Sequence, residues 1–224
     1  MAAAGRDTDL YSGIVATSTL ASRDDAKIAM LGAMYGATSG DSGRLVPQLR
    51  RVFPRAMGLV DSAADIGERG GTVTTWLGRS SPEADADWRE AQSQASMPGA
   101  TPQDEQTARR SARERGRFTR NFIVQGTAAE WALAWLAEIR KQLARVPASE
   151  LAPAAESSGP VFSRRPHLAF FLHDEIIVHT PADQAAQVAQ VVQAAATTAG
   201  NLLFPGGDVD FRLDLNITDR ATKT

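Results

Sequence analysis

His173, Asp174 and Glu175 stand side by side between two apolar runs, in the stretch HLAFFLHDEIIVHTP from His167 to Pro181. An imidazole beside two carboxylates is a donor set for a cation. An unpaired carboxylate between buried strands costs several kcal/mol to desolvate, so these groups are expected to meet a metal, a cation or water. An ordinary polar turn is the plain alternative. A second group, Arg23, Lys27, Leu31 and Tyr35, repeats every four residues. On a helix that step puts neighbours one turn apart, on a drifting face roughly 18 Å long. Two cations followed by an aliphatic and an aromatic side chain suit an anion that carries a flat ring, the shape of a nucleoside triphosphate. The alternative is a solvated face whose cations pair with nearby acids. A third group, RRSARERGRFTR, places six arginines within twelve positions, from Arg109 to Arg120. Such a stripe can track a phosphate backbone, each neutralised phosphate adding salt-dependent affinity. A solvated charged helix is its alternative.

The surrounding sequence must position these groups. Val, Ile and Phe enrichment predicts strands over Leu168–Leu172 and Ile176–His179, joined as a tight hairpin that presents His173-Asp174-Glu175. Leu10 to Val15 is expected to form at least one helical turn. Ser22 has the character of an N-cap, with Asp24 and Asp25 in the first turn of a helix that Gly36 and Thr38-Ser39-Gly40 stop. Helical spacing runs from Leu45 to Gly71, with Pro54 in the first turn of a second helix. Thr72 to Trp76 alternates like a short strand. Residues 82–105 are polar and aperiodic, which predicts a loop, and 82–108 is taken as a mobile insert.

Thr127 and Glu130 fit a T-x-x-E capping box opening an apolar helix, in which Trp131 and Trp135 are expected to be core. Residues 146–166 are rich in Pro, Ala and Ser and resemble a linker. Thr180-Pro181 opens a helix to about Ala199, and 210–217 alternates with period two, predicting a final strand. Hairpin, helix and strand make an antiparallel sheet covered on one face, an α+β fold and not a doubly wound parallel sheet.

Composition narrows the classes. A chain of 224 residues can bury a sizeable core, and its formal net charge of −2 conceals the local basic run. The absence of cysteine excludes a disulfide framework and a cysteine-based metal centre. No stretch approaches the roughly 18–20 uninterrupted apolar residues of a membrane span, and MAAAGRDTD lacks the apolar core of a signal peptide. A soluble, cytoplasmic protein with no membrane partner is expected.

Taken together, three blocks in this order resemble the C-terminal region of the family A DNA polymerases, the DNA polymerase I class. Arg23-x3-Lys27-x7-Tyr35-Gly36 is similar to the family's motif B helix. Arg117-x3-Asn121-x3-Gln125-Gly126-Thr127-Ala128-Ala129 is similar to the palm segment that touches the template–primer. His173-Asp174-Glu175 between apolar strands is similar to motif C, and Gly71 to Arg79 is similar to the V-x-T-x-x-G-R stretch.

The resemblance implies an incomplete right-hand polymerase: a fingers-like helical subdomain over 1–115 and a partial antiparallel-sheet palm over 116–224, with its hairpin at 167–179. It implies template-directed DNA synthesis by two-metal nucleotidyl transfer, with Mg²⁺ as cofactor and primer–template DNA and dNTP as partners. Asp174 would hold metal with Glu175 beside it, and His173 would lie against the primer terminus. Arg23 and Lys27 would bind the triphosphate, with Lys27 acting on the leaving group. Leu31 and Tyr35 would flank the nucleotide, and Arg117, Asn121 and Gln125 would bind the duplex. Leu31 stands where the family usually has Phe or Tyr, and Tyr11 where His is frequent.

The motif A strand, D-x-S-x-x-E-x-R, has no counterpart here: in Asp9-Leu10-Tyr11-Ser12, Ile14 occupies the acid position and Arg23 follows too closely. The expectation is a fragment, inactive alone, with the second aspartate on a missing N-terminal segment or a separate chain. A non-catalytic nucleic-acid-binding module and a single-subunit RNA polymerase relative are the alternatives.

Overall fold

Ser22 accepts a hydrogen bond from the Asp25 N–H, capping a helix whose first turn carries two carboxylates. That helix is one of several packed elements in the computed structural model, which describes residues 9–219 apart from 38, 152, 155 and 208. Residues 1–8, and Thr38 among those expected to stop the helix, lie outside the described residues. The chain forms two compact units, one up to Glu130 and one from Trp131.

The first unit is helical: α1 Leu10–Thr17, α2 Arg23–Tyr35, α3 Gly40–Val52, α4 Pro54–Glu68, α5 Ala86–Ala95, and the first part of α6 Pro102–Leu143. Its core gathers Ile14, Leu20, Leu45, Leu49 and Met57, with Ile123 and Val124 of α6 packed against it. Pro54 opens α4 as expected, because a first-turn residue has no intrahelical N–H bond to lose. Gly36 ends α2 in the left-handed conformation, φ 69°. Close approach explains two further glycines. A Cβ on Gly67 would overlap the Thr119 hydroxyl, and one on Gly116 would meet the Ala64 carbonyl at 3.0 Å, so α4 and α6 pack nearly backbone to backbone. Fully buried Thr119 spends its hydroxyl on the Ala63 carbonyl at 2.8 Å.

In the second unit α6 ends at Leu143, followed by the short α7 Gly159–Phe162, the hairpin β1 His167–Leu172 and β2 Glu175–His179, and α8 Ala185–Leu203. Trp135, Ile139 and Leu143 of α6 meet Val188, Val192, Ala195, Ala196 and Ala199 of α8, and Leu168, Ile176 and Val178 lay one face of the hairpin on that cluster. Trp135 is core as expected and donates its indole N–H to the Val192 carbonyl at 3.2 Å, while Trp131 stacks between Trp135 and Phe211.

Among the described residues the α+β expectation holds as a mostly helical chain with one small antiparallel sheet of two strands. Several elements differ. The alternating segment 210–217 is not a strand: Phe211 and Leu213 turn inward, but no strand among the described residues pairs with it. Period two reports a two-faced chain, and a sheet also needs a hydrogen-bonding partner. Thr72–Trp76 reduces to a single bridge, Thr74 to Ser80. The expected loop over 82–105 contains α5, capped by Asp85 through the Trp88 N–H, while Trp88 packs on Gly70. A polar helix held to its neighbours by Trp88 and by a Gln92 hydrogen bond to the Ala108 carbonyl shows no apolar period. The boundary expected at 115/116 lies inside α6, and in the Pro-rich 146–166 stretch Val146 and Ser149 are buried and 159–162 form α7.

The capping box is also redirected. Thr127 and Glu130 lie within continuous α6 and bind another segment: the Trp76 N–H donates to the Thr127 hydroxyl at 3.1 Å and the Leu77 N–H to Glu130 at 3.0 Å. The Thr75 hydroxyl donates to the other Glu130 oxygen. These bonds seat the 73–81 turn so closely that a Cβ on Gly126 would overlap Thr75 Cγ2. Gly126→Ala is therefore expected to cost about 1–3 kcal/mol in denaturant unfolding, as overpacking does, and to speed amide exchange at Trp76 and Leu77. Unchanged exchange there would count against the close contact.

Candidate functional site

α2 buries Ala26, Ala29, Gly32 and Ala33 and turns Arg23, Lys27, Leu31 and Tyr35 outward. Small residues on the inner side let α3 approach: a Cβ on Gly32 would meet Ser42 Cβ at 2.8 Å. The four expected residues thus share one exposed face, with Leu31 38% and Tyr35 51% exposed where a purely structural helix would carry polar side chains. Arg23 makes a two-pronged contact with Asp9 at 3.0 and 3.2 Å and lies over the Tyr11 ring. The Ser12 N–H, then Arg23, hold the Asp9 carboxyl below its ordinary value, and Asp9 in turn raises Arg23. Both partners are exposed, so this pair contributes little to stability. Lys27 makes no ion pair among the described residues.

Arg117, Asn121 and Gln125 fall four apart on α6, with Arg117 and Gln125 exposed and Asn121 half-buried. The side-chain N–H₂ of Asn121 is buried without a hydrogen-bond partner. The α2 and α6 faces meet at Gly36, where a Cβ would come within 3.1 Å of Arg117 Cγ. Tyr35 and Arg117 therefore flank one helix junction, which places the aromatic end of the α2 face beside the α6 face.

The arginine stripe divides. Arg109, Arg110, Arg113 and Arg117 face solvent, whereas two turn inward as structural groups. Arg115 donates to the carbonyls of Gly71 and Pro82 at 2.8 and 3.0 Å. Buried Arg120 donates to the Ala33 carbonyl at 2.9 Å and to Asp61, which also takes a two-pronged contact from Arg50 at 2.9 and 3.1 Å. Arg109 and Arg110 are paired with Glu105 and Glu114 along the helix. Sequence reasoning missed the Asp61 hub, because Asp61, Arg50, Arg120 and the Ala33 carbonyl come from four separate helices.

In the second unit, Leu172 pairs with Glu175, so His173 and Asp174 form a two-residue turn. His173 has φ 55° and is the only non-glycine with positive φ among the described residues. Hairpin twist selects positive φ at such positions, and histidine tolerates it better than most residues. His173, Asp174 and Glu175 are all exposed. The desolvation cost anticipated for these groups is thereby avoided by presentation to solvent. No cluster of three or more His, Asp or Glu side chains suited to a metal occurs among the described residues. Asp174 would offer Mg²⁺ a single carboxylate, and it does not by itself fit a two-ion centre.

No protein-family model matches the chain, and no curated protein does. Among solved structures the fold is similar to the POL domain of Pol1 from M. smegmatis, described in complex with DNA primer-template and dNTP, at a TM-score of 0.59 and 17% identity. The match covers 92% of this chain and 33% of that one, so the chain spans about a third of its length. The fold is thus polymerase-like. No helix among the described residues is long and apolar enough to cross a membrane.

Proposed function

We propose that this chain is the fingers and part of the palm of a family A DNA polymerase, acting in template-directed nucleotidyl transfer to a primer 3′-hydroxyl. The observation that carries this reading is the meeting of two exposed faces at one junction, Arg23/Lys27/Leu31/Tyr35 and Arg117/Asn121/Gln125, within a polymerase-like fold. Lys27 and Arg23, the latter after leaving Asp9, neutralise the triphosphate and the charge that develops on the departing pyrophosphate. Leu31 and Tyr35 cover the sugar and base. Arg117, Asn121 and Gln125 hold the primer–template duplex, with the exposed Arg117 and Gln125 side chains reaching it directly. Asp174 contributes one carboxylate to a Mg²⁺ site and His173 borders the primer end. Magnesium, when bound, supplies Lewis-acid stabilisation of the transferring phosphoryl group. A two-ion centre needs a further carboxylate, which Asp174 does not supply.

The experiment is primer–template binding by the 224-residue chain over a salt series. Arg117→Ala is expected to weaken binding equally across DNA sequences and to lower the salt slope by about 1. Lys27→Ala is expected to leave that binding unchanged and to weaken dNTP-dependent stabilisation of the complex by about 10- to 100-fold in dNTP affinity, the loss of one charged phosphate contact. Equal effects of both variants on DNA alone would overturn the assignment of the two faces.

A further inference from the structure

We infer that His167 and His179 form a two-imidazole site for a borderline divalent cation such as Zn²⁺, at the end of the hairpin remote from Asp174. The two residues are cross-strand partners, the first of β1 and the last of β2, with ring centroids 5.6 Å apart. β1 separates them from the His173-Asp174 turn by roughly 16 Å of strand. The Nδ1 atom of His167 lies 2.9 Å from the Arg165 carbonyl. A carbonyl only accepts, so Nδ1 carries the proton in this contact and Nε2 keeps its lone pair for a metal. This is the outer-sphere arrangement that metal-ligating histidines use to fix tautomer and ring orientation. Phe162 packs on the His167 ring at 4.9 Å and restrains it further.

Nearby cations are directed elsewhere. Arg165 donates to the Val146 carbonyl at 3.4 Å and Arg164 to the Ser149 carbonyl at 3.0 Å. The two imidazoles meet edge to face, at 85°. His179 is exposed and its χ2 torsion is broad, which leaves its ring free to turn toward an ion held by His167. Neutral imidazole suits Zn²⁺, Ni²⁺ and Cu²⁺ and not the hard Mg²⁺ ion, so the site is chemically separate from that of Asp174. With only two protein ligands, water completes the coordination. The bound ion clips the open end of the hairpin and steadies the strands that present His173 and Asp174.

Zn²⁺ titration of the whole chain, read by histidine ring NMR signals and by thermal unfolding, tests the site. Zn²⁺ is expected to perturb His167 and His179 and to raise the unfolding temperature. Loss of a metal's outer-sphere partner costs roughly 10- to 100-fold in affinity, so losing one of two direct ligands in His179→Ala or His167→Ala should cost at least as much. His173→Ala should bind as the parent does. Absence of binding at millimolar Zn²⁺ would overturn the inference. So would undiminished binding by His179→Ala, or a loss confined to His173→Ala.

Discussion

Asp174→Asn is expected to abolish primer extension by a polymerase assembled from this chain and a polypeptide carrying the D-x-S-x-x-E-x-R strand, a loss on the order of 10²- to 10³-fold or more. Asparagine keeps the shape of the turn and its two-residue register but removes the charge that a magnesium ion requires. Duplex affinity should stay nearly constant, because phosphate contacts on α6 carry it and Asp174 makes none of them. Without the added polypeptide, the 224-residue chain should bind primer–template and extend nothing. A direct reading is available on the chain itself: Mn²⁺ should broaden the amide signals of Asp174 and Glu175, and Asp174→Asn should remove that effect. Extension by the variant near the parent rate, or broadening that persists, would take Asp174 out of the metal role.

Asp61→Ala should destabilise the first unit by about 3 kcal/mol, at the lower end of what removing one partner of a buried ion pair costs. Arg120 has a side chain only 11% exposed, and without Asp61 it keeps the Ala33 carbonyl but no counter-charge. Burial pushes the Asp61 carboxyl up, yet hydrogen bonds from Arg50 and Arg120 outweigh it and hold the carboxyl below its ordinary value. A carboxyl depressed in the folded state contributes stability above its unfolded pKa of about 3.9, and that contribution is lost as pH falls through the lower folded value. Denaturant unfolding should therefore show a drop in stability below about pH 4 that Asp61→Ala lacks. An identical acid profile in both proteins would mean that the carboxylate is not engaged in solution.

Helix and hairpin were legible in the sequence wherever a local rule fixes them. Ser22 and Gly36 bound α2 through cap chemistry that needs only neighbouring residues. Pro54 divides α3 from α4 by its missing N–H. β-Branched and aromatic residues on either side of His173-Asp174-Glu175 set the hairpin, although Glu175 belongs to β2 and the turn is His173-Asp174. Four-residue spacing alone placed Arg23, Lys27, Leu31 and Tyr35 on one face, whereas the resemblance singled out Arg117, Asn121 and Gln125, which fall four apart on α6.

Tertiary structure decided what those residues meet. The T-x-x-E pattern at Thr127 has two satisfying partners, its own helix start or a foreign backbone, and the 73–81 turn supplied the second. Arg115 and Arg120 read as stripe cations, but close packing of α4 on α6 at Gly67 and Gly116 turned them toward carbonyls and Asp61. The alternation of 210–217 marked two faces correctly for Phe211 and Leu213, yet a strand exists only where another edge offers its N–H and C=O groups. Sequence determines propensity and which side chains share a face; partners remote in the chain determine whether a charge is bound inside or presented outside.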